Sequence, residues 1–328
     1  MFTRREILRA GAASAASTAL ALPPAYGAVI EKPAKLILGF VPGGSTDIVG
    51  RLLVGQLRDY ASNFIVDNRP GAGGRIAVQA VKAAEPDGSI LGMSPASILV
   101  IYPHVYNNLG YDPLKDFEIV CTACSVTFGL VVGPMVPESV KTFQQFVDWC
   151  RANPDKASYG SSGAGSMPHF AGVMISKGAN FDFVHVAYRG ATPAVQDLVA
   201  GQIAANLAVI TNVLPFIESG KVRVLVTTGE KRSPFVPDAP TLSELGLKNL
   251  VAEEPFVMYM PLGTPRATVS QFSALVQKAM KIPEVADSYR KLALEPGRHQ
   301  GDEARELVRR DIERWGEIVR ATGFKMTE

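Results

Sequence analysis

Short apolar runs alternate with stretches of helical spacing along most of this chain, and Gly-rich or Pro-rich turns separate them. In the first unit an apolar run at 36–41 ends in a turn at 42–44, and apolar residues then recur at helical spacing. Ser45 or Thr46 is predicted to cap that helix. Repeated strand–helix units favour mostly parallel sheets covered by helices on both faces. The pattern therefore predicts an α/β protein.

The alternation falls into two sets, separated by a long β-like run at 120–132. The second set begins with a helix near Thr142. A length of 328 residues also favours two domains, on a prior of roughly 150 residues per domain. We therefore expect two α/β domains that face a cleft.

The first 27 residues are predicted to be a signal peptide. Arg4 and Arg5 precede an apolar run at 10–22, which is shorter than the ~20 residues that a membrane-spanning helix needs. Ala25 and Gly27 suit cleavage before residue 28. The segment 3–9 resembles a twin-arginine export signal, and the ordinary secretory route remains open. The alternative is a basic amphipathic helix of a cytoplasmic protein.

Charge excludes one class of function. The chain has 33 Lys and Arg against 31 Asp and Glu, and the leader carries three Arg and one Glu, so 30 residues of each sign remain after it. No basic cluster of the kind that binds nucleic acid is present. Beyond the leader no run of 18 apolar residues occurs, so the mature chain is expected to be soluble.

Motifs for catalysis, cofactors and metals fail when they are checked letter by letter. The G-x-S-x-G pattern centred on Ser162 fails at Ala164, and a dinucleotide fingerprint fails at Ile76. The four histidines are scattered, and the three cysteines are predicted to be buried and inert. We expect no catalytic residue, no cofactor and no metal. The alternative is a secreted serine hydrolase that pairs Ser162 with His169 or His185.

Two strand-to-helix turns, at 42–47 and 161–166, are rich in Gly, Ser and Thr and contain no Lys or Arg. In open α/β sheets ligands bind at the carboxyl ends of strands, where the backbone N–H groups of a helix start attract anions. Such neutral donors suit a carboxylate that must be released again. The alternative is that the glycines only permit tight turns.

The residue patterns of these turns and of other segments are also specific. The matching segments are 40–51, 68–74, 85–88, 159–166 with His169, 186–190 with 193–194 and Asp197, 215–220, and 231–233 with 238–241, and they follow one another in the order of a known family. With them the mature chain closely resembles the substrate-binding proteins of tripartite tricarboxylate transporters, the Bug or TctC-like receptors.

This resemblance implies a two-lobed periplasmic-binding-protein fold, in which two doubly wound sheets are joined by two crossover strands. The first lobe would comprise 28–128 plus 252–328, and the second 129–251. The implied function is capture of a small organic acid, a mono- or dicarboxylate, for membrane permease subunits by a monomer that is not an enzyme. A receptor used in signalling is a further alternative.

The resemblance also implies site residues. Gly43, Gly44, Ser45 and Thr46 would bind one carboxylate, with Asp47 bracing their turn. The other side would be lined by Ser161, Ser162, Gly165, Ser166 and His169. Tyr188, Arg189 and Gly190 would lie at the end of another strand, where Arg189 would bind a second anionic group of the ligand. The alternatives are that Arg189 forms a surface ion pair and that the Tyr188 ring packs in the core. Ser94 and Ser97 complete the set.

Three departures from the family pattern affect the ligand. Val173 stands where a Glu is usual, Ala204 where an acidic residue is common, and 254–259 replaces a Trp-rich segment. They extend the candidate ligands to less polar or aromatic acids.

Overall fold

The structure is a computed structural model that describes residues 30–247, 250 and 252–326. The predicted signal peptide at 1–27 lies outside the described residues. Within them, no helix combines the length and the apolar character that crossing a bilayer requires.

The described residues form ten strands and eleven α-helices, which mostly alternate along the chain. The strands are β1 (Ala34–Leu38), β2 (Phe64–Asn68), β3 (Ile90–Pro95), β4 (Phe117–Val132), β5 (Ser158–Ser161), β6 (Val184–Ala187), β7 (Ala205–Val209), β8 (Arg223–Thr227), β9 (Glu253–Pro261) and β10 (Glu295–Pro296). The helices are α1 (Ser45–Val54), α2 (Arg75–Lys82), α3 (Ser97–Val100), α4 (Tyr102–Val105), α5 (Phe143–Ala152), α6 (Met167–Ala179), α7 (Ala191–Val199), α8 (Ile210–Glu218), α9 (Arg266–Met280), α10 (Pro283–Lys291) and α11 (Gly301–Thr322).

The strands pair in two groups. In the first lobe β2, β1 and β3 are parallel, β9 is antiparallel to β3, and the first part of β4 is antiparallel to β9. In the second lobe β6, β5 and β7 are parallel, and β7 and β8 run antiparallel to the last part of β4. The α/β class and the two-lobed architecture are confirmed, with parallel strands at the centre of βα units and antiparallel strands where the lobes meet.

Strand β4 is shared by both lobes. Its residues up to Thr127 pair with β9, and from Phe128 onward they pair with β7 and β8. The chain returns beside this point, where the Ala252 N–H donates to the Thr228 carbonyl and the Thr228 hydroxyl donates to the Ala252 carbonyl. The lobe boundaries at 128/129 and 251/252 stay a prediction.

One predicted cap is wrong. Helix α1 has Gly44 as its N-cap, with an extended backbone and no side-chain cap, so neither Ser45 nor Thr46 performs that role. The physical reason is that Asp47, inside the first turn, accepts a hydrogen bond from the Gly43 N–H at 3.0 Å and so secures the turn from within. The first N–H groups of α1 itself are therefore left without a side-chain cap.

The C-terminal helix packs on the first lobe. Trp315 is fully buried on its inner face, and α11 lies against β4, α3 and α4. On α4, the ring nitrogen Nε2 of His104 forms a hydrogen bond with the Ile312 carbonyl oxygen, 2.7 Å away. The cysteines are free and buried as predicted, and burial raises the pKa of the Cys150 thiol to about 12.

Candidate ligand-binding site

A cavity opens between the two lobes. Five of the residues predicted for the site line it: Gly44, Ser45, Thr46, Ser162 and Gly190. The other lining residues are Phe40, Val41, Pro95, Phe128, Pro168, Ala191, Thr192, Asn206, Leu207, Ala208, Val209, Asn212, Glu254 and Phe256. We call this cavity the cleft.

The first turn is held by a chain of polar contacts behind the cleft. Asp47 forms an ion pair with Arg51, with the nitrogen Nη2 3.0 Å from Oδ1, and Arg51 also donates to Asn68. Asn68 in turn donates to the Phe40 carbonyl. Partial burial raises the pKa of Asp47, but the bonds from Arg51, the Gly43 N–H and Asn68 outweigh this and hold it below its usual value. Asp47 therefore stays ionised while it shapes the turn.

Two helices of the second lobe also begin at the cleft. Helix α7 follows Gly190, whose φ of 116° is a conformation that favours glycine, and its start has no side-chain cap. Helix α8 follows Val209, again without a side-chain cap. Since the first N–H groups of a helix lack intrahelical partners, the starts of α1, α7 and α8 offer donors from both lobes to one cleft.

Polar amides lie beside these helix starts. Asn206 on β7 is only 2% exposed and lines the cleft. The amide nitrogen Nδ2 of Asn212 is buried and has no hydrogen-bond partner among the described residues. A buried donor without a partner costs free energy, about 1–3 kcal/mol, that a bound acceptor would recover. The amide of Asn212 therefore favours a ligand that carries a hydrogen-bond acceptor.

Much of the remaining lining is apolar. Phe40, Phe128 and Phe256 contribute rings, and Pro95 and Pro168 contribute rigid apolar surface. Burial of apolar ligand surface against these side chains would contribute about 25 cal/mol per Å². The cleft thus suits a ligand with an apolar body.

Glu254 is the charged residue among the described lining residues. The residue is 4% exposed, and its Oε1 accepts a hydrogen bond from the Ser97 N–H at 3.0 Å. Burial raises the pKa of Glu254 to about 7, and the hydrogen bonds from Ser97 act in the opposite direction. This carboxyl changes charge near neutral pH.

Comparison with known proteins decides the family. The family described as "Tripartite tricarboxylate transporter family receptor" matches residues 50–324. The chain belongs to this receptor family. The receptor is 35% identical over 306 residues to a Cupriavidus necator protein described as "UPF0065 protein in gbd 5'region", with 90% of each chain covered.

Two further relatives agree with this assignment. The Bordetella pertussis protein BugT is 28% identical over 313 residues, with 95% of each chain covered. A solved structure described as "R. palustris Rpa4515 with adipate" superposes with a TM-score of 0.84 at 27% identity, covering 89% of the receptor and 98% of that chain. The resemblance read from the motifs is therefore confirmed.

Several predicted residues lie behind the receptor's cleft. Ser161 is fully buried, and its hydroxyl lies 2.7 Å from Nε2 of His185. His169 accepts the Gly165 N–H at its nitrogen Nδ1, 3.1 Å away, and its ring stacks on His185 with centroids 4.0 Å apart. The Ser166 hydroxyl donates to the Gly163 carbonyl. These groups support the second turn and are not among the residues that line the cleft.

The hydrolase alternative needs a serine that contacts a histidine. Ser162 faces the cleft and, within the described residues, makes no hydrogen bond to His169 or His185. Burial lowers the pKa of His169 to about 4 and that of His185 to about 3. The serine that contacts His185 is the fully buried Ser161, which a substrate in the cleft does not reach.

The predicted residues Tyr188, Arg189 and Gly190 do not all reach the cleft. Gly190 lines the cleft, whereas the Tyr188 hydroxyl donates to Asp197 at 2.8 Å and its ring packs beside the core of the second lobe. Arg189 is exposed and is not among the lining residues. Ser94 and Ser97 are buried, and Ser97 reaches the cleft only through its bond to Glu254.

The sequence analysis missed most of the lining, including Glu254, Asn206 and Asn212. The rule that ligands bind at the carboxyl ends of strands would have drawn attention to 206–212, where β7 runs into α8. Glu254 lies in the segment that departs from the family pattern, which is a signal of a changed ligand.

A second cavity is larger than the cleft and contains none of the predicted site residues. It is lined by charged groups that include Lys231, Arg298, Arg310 and Asp311. Among the described residues no group of His, Cys, Asp and Glu is arranged to hold a metal ion. We take the cleft as the candidate ligand site because five predicted residues and helix starts from both lobes line it.

Proposed function

We propose that this receptor captures a small organic acid in the periplasm and passes it to membrane permease subunits without changing it chemically. The observation that carries the proposal is the convergence of three uncapped helix starts on one cleft from both lobes. Neutral N–H donors bind a carboxylate reversibly, and the related R. palustris protein was solved with adipate, an organic acid.

The first lobe holds the carboxylate through Gly44, Ser45 and Thr46, and Gly43 and Asp47 set the shape of that turn. Ser162 and Gly190 close the site from the second lobe. The receptor acts as a monomer after removal of residues 1–27, by either export route. Its lobes comprise 28–128 plus 252–328 and 129–251.

A proline at position 45 tests the first turn directly. Ser45 is the first residue of α1, where proline is well tolerated, and Gly44 before it has the extended backbone that suits a following proline. Ser45→Pro therefore removes a backbone N–H and a hydroxyl while the helix is kept, whereas Ser45→Ala removes only the hydroxyl. A hydrogen bond to a charged group contributes about 1.5–3 kcal/mol, so Ser45→Pro should weaken binding roughly tenfold or more, and Ser45→Ala by less.

The measurement is calorimetric titration of the wild type and both variants with a panel of mono- and dicarboxylates. Arg266→Pro is the matched control, because Arg266 is the first residue of α9 and lies outside the cleft lining. Its affinity should equal that of the wild type. If no acid in the panel gives heat or raises the melting temperature of the wild type, the proposed function is wrong.

A further inference from the structure

The cleft contains an acidic group that an organic-acid receptor does not need for holding a carboxylate. Glu254 reaches it from β9, and α3 fixes it there through the Ser97 N–H. A carboxyl that is 4% exposed cannot be screened well by water, so its charge acts strongly on whatever occupies the cleft.

No cation of the described lining offsets this charge. The lining contains no Lys, Arg or His among the described residues. The titratable groups that face Glu254 are Tyr102 on α4 and Cys124 on β4, and burial raises the pKa of both well above neutrality. Both are therefore neutral. Arg75, which acts on Tyr102, lies over the Tyr106 ring at 3.8 Å from its centroid.

On the same cleft, the uncapped helix starts favour negative charge and the phenylalanine rings favour an apolar body. A second carboxylate on the ligand would share the cleft with the carboxylate of Glu254, and like charges at short range repel strongly where water is excluded. A hydroxyl, an amine or a hydrocarbon end would meet no such penalty.

We propose that Glu254 restricts this receptor to acids with a single negative charge, and that it does so by repelling a second carboxylate on the ligand. The inference rests on the proposed function, since it assumes that the ligand is an organic acid in this cleft. It names the substrate class: monocarboxylates with an apolar body whose far end is uncharged or donates a hydrogen bond.

The test uses two matched pairs of acids, hexanoate with adipate and benzoate with terephthalate, in calorimetric titration at pH 8.5. The wild type should bind the monocarboxylate of the preferred pair at least about tenfold more tightly than its dicarboxylate partner. Glu254→Gln keeps an oxygen that accepts the Ser97 N–H but removes the charge. It should bring the ratio within about threefold by raising dicarboxylate affinity.

Glu253→Gln is the matched control, because it makes the same charge change at the neighbouring residue, which is exposed and bonds to the Glu230 N–H. Its mono-to-dicarboxylate ratio should stay that of the wild type. A single cooperative ligand-free unfolding transition and an unchanged far-UV circular dichroism spectrum for both variants would show that the fold is intact.

A second readout is pH. At pH 6.5 Glu254 is largely protonated, while ordinary ligand carboxyls with pKa values near 4 remain ionised. Dicarboxylate affinity relative to monocarboxylate should therefore rise between pH 8.5 and 6.5 in the wild type and stay level in Glu254→Gln.

Two results distinguish failure of the inference about Glu254 from failure of the proposed function. If the wild type prefers the dicarboxylate and loses that preference in Arg189→Gln, Arg189 meets a second anion as the family resemblance implies. The inference about Glu254 is then overturned while the proposed function stands. If neither the wild type nor Glu254→Gln binds any of the four acids or any acid of the wider panel, the proposed function fails and the inference fails with it.

Discussion

Neighbouring residues of the second turn have opposite surroundings. Ser162 lines the cleft, whereas Ser161 is fully buried and contacts His185. Since successive side chains of an extended segment point to opposite faces, only one of two adjacent serines can reach the ligand. The motif identifies the turn, but it does not say which serine faces the cleft.

The stacked histidines predict how stability depends on pH. Burial holds the pKa of His169 at about 4 and that of His185 at about 3, below the 6.5 expected in the unfolded chain. Between these values and pH 6.5 the unfolded chain binds more protons than the folded one, so stability falls as the pH falls. Each histidine contributes a slope of up to about 1.4 kcal/mol per pH unit in this window.

Replacing His185 should reduce this slope. His185→Gln removes one titrating ring, so its free energy of unfolding should fall less than that of the wild type between pH 6.5 and pH 4.5. Urea unfolding at a series of pH values measures this. Glu254 acts in the opposite direction, because its raised pKa adds stability as the pH falls through 7, and Glu254→Gln should make the acid loss steeper. Parallel pH curves for the wild type and His185→Gln would contradict the assignment.

At the level of elements, helix starts in this chain follow two designs. Helix α5 has a full capping box, in which Thr142 accepts the Gln145 N–H and Gln145 bonds back. Helices α1, α7 and α8 have no side-chain cap, a feature that they share with the other described α-helices apart from α5, and all three begin at the cleft. A side-chain cap would occupy the N–H groups that a carboxylate needs, so these three starts keep donors free for a ligand, and their position at the cleft is what distinguishes them from the other uncapped helices.

The packing of α6 on β5 predicts a stability effect at Gly172. A Cβ at this position would lie 2.2 Å from the Tyr159 ring, which is buried and bonded through its hydroxyl to the His169 carbonyl. Alanine is favoured over glycine in a helix by about 1 kcal/mol, whereas overpacking a core costs about 1–3 kcal/mol. Gly172→Ala should therefore be destabilising, by up to about 2 kcal/mol in urea unfolding.

Gly178 in the same helix provides the control. A Cβ there meets only the ends of the Leu247 and Leu250 side chains, at 3.2 Å. Gly178→Ala should be neutral or slightly stabilising, since these methyl groups can shift. A Gly172→Ala variant as stable as Gly178→Ala would show that the ring of Tyr159 moves aside without cost.

At the scale of the whole molecule, the two lobes meet along β4 and face each other across the cleft. The C-terminal residues also touch both lobes: the Phe324 ring packs on His169 with centroids 4.7 Å apart, and the Met326 N–H donates to the Val105 carbonyl. A ligand that contacts both lobes binds more tightly to a closed arrangement than to an open one, and so shifts the population towards closure.

Closure predicts a measurable change of shape. The radius of gyration from small-angle X-ray scattering should decrease when a saturating organic acid is added to the wild type. With Ser45→Pro at the same acid concentration, the decrease should be smaller in proportion to its lower occupancy. A binding acid that leaves the scattering curve unchanged would show that the lobes do not move relative to each other.

The sequence by itself determined the α/β class, the positions of the strand-to-helix turns and the family. These features depend on local periodicity and on short runs of Gly, Ser and Thr, which act over a few residues. The tertiary structure alone decided that Ser162 faces the cleft while Ser161 does not, and that Glu254 and Asn212 line the same cleft as the first turn. Those placements depend on strand register and on pairing between segments far apart in the chain, such as β9 with β3 and β4. No local pattern specifies such pairing, because it is set by the packing energy of the whole fold.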